Sequence, residues 1–79
     1  MDSAVTNQME EMVLLQSVAL LKTIDAYTAT TGRMNGAIAQ AREDVRCVCI
    51  YALIETSGVK TDDEKTLQTL MEYYGINPR

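Results

Sequence analysis

Histidine, tryptophan and phenylalanine are missing from this sequence altogether, and it holds one proline, four glycines and two cysteines. Without histidine there is no imidazole to serve as general base, metal ligand or switch near neutral pH. Two thiols cannot by themselves supply the four ligands of a standard structural zinc site. Basic side chains are also few, seven against eleven acidic ones, for a net charge of −4. That balance argues against a nucleic-acid backbone as ligand, so no direct DNA binding is expected. Long hydrophobic runs are absent as well. The longest, Cys47 to Ile54, has eight residues, far below the roughly 20 that span a bilayer. Met1-Asp2-Ser3 lacks the basic flank of a signal peptide. No membrane association is expected, and no cofactor.

What is present is an ordinary globular mixture: 79 residues, 47% apolar and 23% charged. It reads as a single domain spanning 1–79. Scarce glycine and proline suit helices. A core in a chain this short supplies only about 3–5 kcal/mol, so staples or partners are expected to help. Cys47 and Cys49 are the sole staple candidates. Two residues apart on a helix, they point about 200° away from each other. An internal disulfide is therefore not expected, and the thiols read as small hydrophobes of a reduced, cytoplasmic protein.

The periodicity predicts three helices, over about 4–30, 36–56 and 62–74. Ser3 is a candidate N-cap for the first, and Gly32 stands just past its end. Val5, Met9, Met12, Val13, Ala19, Leu20, Ile24 and Tyr27 share one broad face at 100° per residue. Leu14, Leu15, Val18 and Leu21 form a second patch opposite. In helix two, Met34, Ile38, Ala41, Val45, Val48 and Ala52 recur at alternating spacings of four and three, a heptad seam. Cys47, Ile50, Tyr51 and Ile54 lie behind it. Residues 45–54 are also strand-like, but the heptad runs on through them and no partner strand is evident. Helix three opens on Thr61-Asp62-Asp63-Glu64, which matches a capping box. Leu67, Leu70, Met71 and Tyr74 make its apolar stripe. Gly75-Ile76 suits a Schellman stop, and Pro78 bars resumption.

The expected architecture is all-α: an antiparallel hairpin of two long helices with their broad faces together, plus a short third helix, in an oligomeric bundle. The third helix is too short to cover both back patches. If it covers helix two, Leu14, Leu15, Val18 and Leu21 are left over; if it covers helix one, Ile50 and Tyr51 are. A leftover aliphatic patch marks a partner surface. An antiparallel pairing of two chains centred on Val18 would bring Lys22 of one to Glu11 of the other.

Few residues suggest chemistry. Glu10-Glu11 and Glu43-Asp44 flank the apolar faces and read as solvated edges, not as a di-metal site. Gln16 and Thr23 interrupt the helix-one face, where a polar residue can set register. Arg33, Arg42 and Arg46, with Tyr51, could hold a small anion such as a nucleotide through guanidinium forks and stacking. No glycine-rich phosphate loop accompanies them. The expectation is a non-enzymatic module that regulates, inhibits or chaperones another protein and associates with itself. A binder that sequesters an anionic ligand is the alternative.

Overall fold

The computed structural model describes residues 3–76, and within them three helices: α1 (Ser3–Thr31), α2 (Gly36–Ser57) and α3 (Glu64–Tyr74). There are no strands among the described residues, so residues 45–54 are helical. The capping role of the Ser3 side chain and the stop at Pro78 lie outside what is described.

Local chemistry explains the boundaries. Residues 3–31 contain neither glycine nor proline and are rich in alanine, leucine and methionine, so nothing interrupts α1. Gly32 ends it at φ 67°, a left-handed conformation that costs other residues about 1–2 kcal/mol. Its N–H donates to the Thr28 carbonyl at 2.9 Å. Asn35 then caps α2, its Oδ1 accepting the Ile38 N–H at 2.9 Å. The stop of α3 is a Schellman motif. Ile76 N–H reaches the Met71 carbonyl at 2.8 Å and Gly75 N–H the Glu72 carbonyl at 3.1 Å, with Gly75 at φ 76°.

The start of α3 departs from the expected capping box. Thr61 and Asp62 lie in a turn in which the Asp63 N–H donates to the Lys60 carbonyl at 3.0 Å. Asp63, not Thr61, is the cap. Its carboxylate accepts the Thr66 N–H at 3.2 Å, and the helix begins at Glu64 rather than 62. Thr61, Asp62 and Asp63 can all cap a helix, and the one adjacent to the apolar stripe of Leu67, Leu70 and Met71 takes the role.

α1 packs along α2, as expected for helices joined by a short turn. α2 turns its seam residues Val45 and Ala52 inward as expected, but α1 does not use its expected face. The core is Leu14, Val18 and Leu21 of α1, Cys49, Ala52 and Leu53 of α2, and Ile76. Val45, Leu67, Leu70, Met71 and Tyr74 close over it. Of the two arrangements open from the sequence, the one that leaves Leu14, Val18 and Leu21 uncovered is not formed: they are 0, 6 and 1% exposed. The broad face is the open one: Val5, Met9, Met12, Val13 and Leu20 are 45–58% exposed.

A physical reason separates the two faces. Leu14, Val18 and Leu21 follow each other at i, i+4 and i+7, and the polar residue among them, Ser17, is half-buried with its hydroxyl satisfied on the Val13 and Leu14 carbonyls. The broad face carries Gln16 and Thr23 in its middle. Burying it against α2 would desolvate the Gln16 amide without a partner. Left in water, Thr23 satisfies its hydroxyl on the Ala19 carbonyl at 2.9 Å, and Gln16 stays exposed.

Candidate interaction surface

The hairpin has two sides. On one, α3 and Ile76 complete the core. On the other, none of the described residues lies over the helices. Here α1 presents Val5, Met9, Met12, Val13 and Leu20, and α2 presents Val48 and Tyr51, each 43–64% exposed. Thr6, Met9, Glu10 and Val13 face Tyr51 and Ala52 across a shallow groove of about 210 Å³. Met12 and Gln16 continue the depression along α1. From Val5 to Leu20 the stripe runs about 22 Å at 1.5 Å per residue.

The charge around this face has one sign. On α2, Asp44, Val48, Tyr51 and Glu55 recur at spacings of four, three and four, so an acid stands one turn beyond each end of the apolar pair. Glu10 lines the groove itself. Among the described residues, no lysine or arginine of α1 or α2 shares the face. The Lys22 stem lies beside Gly75 at the end of α3. Arg42 is held by Asp25, with Nε 2.6 Å from Oδ1 and Nη2 3.5 Å from Oδ2. Arg46 pairs with Glu43 at 3.4 Å. Lys65 belongs to α3, and Arg33 and Lys60 stand in the connections.

The other expected site residues are distributed as follows. Of the expected partner patch, Leu15 is 51% exposed and Tyr51 64%, Ile50 is half-buried, and Leu14, Val18 and Leu21 are core. A dimer centred on Val18 with Lys22 facing Glu11 would require α3 to leave. That expectation is withdrawn. Cys49 is buried and Cys47 exposed, so α3 does not rest on Cys47 as one arrangement required. The proposed anion cluster is not assembled either. Arg42 and Tyr51 are nine residues apart on one helix, which places them on opposite sides. Arg46 lines a separate groove of about 230 Å³ with Gln68, Met71, Glu72 and Ile76, where an anion would meet the Glu72 carboxylate.

Met9, Met12 and Val13 were visible in the sequence as an apolar stripe but were assigned to the core. The signal that places them at the surface is the Gln16 amide in their midst. Compared with family models, curated proteins and solved structures, the chain matches none.

Proposed function

We propose that this chain is a non-enzymatic protein–protein interaction module, and that it engages its partner through the open side of the hairpin. The observation that carries this reading is the row of seven large apolar side chains on two adjacent helices, left uncovered where α3 covers the other side. Single exposed apolar residues are ordinary; a contiguous apolar face built from two helices is characteristic of binding surfaces. Methionine at its centre suits such a role, because an unbranched thioether adapts to different shapes at small cost. Oligomeric assembly, if it occurs, belongs to this same face, since the Val18 side is occupied from within the chain. Holding or regulating another protein is the activity such a surface supports best.

Site-specific photo-cross-linking in the native host tests the reading. A photoreactive residue in place of Met12 or Tyr51 is expected to give discrete adducts of protein size. The same residue in place of Lys65, on α3, is expected to give none. Equal patterns at all three positions, or no adducts at Met12 and Tyr51, would overturn it.

A further inference from the structure

We infer that the occupant of the open face is a basic amphipathic helix of another protein rather than a second copy of this chain. The inference rests on the interaction reading above and deepens it. Two antiparallel helices side by side leave a lengthwise groove between them. A third helix laid in it would meet Met9 and Val13 from one wall and Tyr51 and Ala52 from the other. This is the helix-in-groove mode, in which apolar side chains at i, i+3, i+4 and i+7 of the ligand serve as anchors. The stripe from Val5 to Leu20 accommodates roughly 15 residues of such a helix.

Charge selects among possible occupants. Glu10 in the groove and Asp44 and Glu55 at the α2 border are all acidic. The basic side chains of both helices are turned to the other side, two of them engaged by Asp25 and Glu43. A second copy would bring the same three acids to the contact, and no lysine or arginine of α1 or α2 to meet them. Like charges brought together select against a partner. A helix with lysine or arginine flanking its apolar stripe places opposite charge at those positions instead. Steering of that kind raises the association rate and weakens with salt.

The test uses the full chain and three fluorescent peptides of roughly 15 residues, read by anisotropy. One carries leucine and lysine in helical periodicity, one leucine and glutamate in the same pattern, and one the leucine and lysine in strict alternation. The helical basic peptide is expected to bind at least about tenfold more tightly than either other, and less tightly as salt rises. Tyr51→Ala is expected to weaken it by about tenfold, as is the pair Asp44→Lys and Glu55→Lys. All three positions are exposed, and circular dichroism confirms that the variants stay folded. Equal binding of the two leucine–lysine peptides, or of the acidic and basic helices, would overturn the inference and leave the interaction reading intact. Sedimentation as a dimer that Tyr51→Lys dissociates would do the same, naming a second copy as occupant. If no helical peptide binds, the chain is monomeric and cross-links are absent at Met12 and Tyr51, the interaction reading itself falls.

Discussion

Leu14→Ala is expected to cost about 2–5 kcal/mol of stability, while Val13→Ala, one residue away, costs nothing measurable. Leu14 is fully buried and belongs to a core that numbers seven residues among those described. Removing its branched end forfeits the transfer energy of the lost methyl groups and leaves a cavity that the surrounding helices fill only in part. A core of this size provides about 3–5 kcal/mol in all, so the loss is comparable to the whole stability of the chain. Val13 is 45% exposed. Its truncation replaces a β-branched residue by the best helix former. Denaturant unfolding followed by far-ultraviolet circular dichroism distinguishes the two. Comparable losses at both positions would mean that the hairpin is rotated from the packing described.

Ile76→Ala is expected to have the second largest effect, about 2–4 kcal/mol, although the residue lies beyond the last helix. Ile76 is 2% exposed and packs into the cluster formed by α1 and α2. The Schellman turn at Gly75 directs it there. α3 has 11 residues, below the length at which an isolated helix holds in water, so its stability comes from docking. Loosening Ile76 releases α3 and opens the core beneath it. The two free cysteines provide the readout. Cys47 is exposed and is expected to react with a thiol reagent at the same rate in both proteins. Cys49 is buried and labels only when the structure opens, so its rate is expected to rise at least about tenfold in the variant. An unchanged Cys49 rate would show that Ile76 does not fasten α3.

How the sequence leads to this arrangement differs between elements. The three helices follow from composition and punctuation: an unbroken 3–31, the glycines at 32 and 75, and the one-sided stripe of α3. Asn35 and the Gly75-Ile76 stop function as their residue types suggest. The choice of face was not legible from hydrophobicity, because α1 is apolar on two sides through its middle. Counting apolar residues favours the broad face; counting what must be desolvated with them favours Leu14, Val18 and Leu21. The second consideration decides, since the Gln16 amide buried without a partner costs more than an exposed methionine. The arginines illustrate a related point. Arg42 and Arg46 are neighbours on α2, but both point to the side of Asp25 and Glu43, and Tyr51 lies across the helix from Arg42. Residues close in sequence on a helix need not share a surface. Tyr51 itself was placed among the partner-binding residues and does lie on the open face, beside residues that had been given to the core.

Methionine oxidation tests most directly whether a partner lies on this open face. Met9 and Met12 stand on the face at 58 and 56% exposure, and Met34, at the other end of the hairpin by the turn, is 54% exposed. Thioethers of similar exposure oxidise alike, so Met34 serves as the internal standard. In the purified chain all three are expected to react with peroxide at similar rates, and faster than Met71, which packs against the core. In chain recovered from peroxide-treated host cells, Met9 and Met12 are expected to be protected relative to Met34. Equal oxidation of all three in the cell would contradict the account.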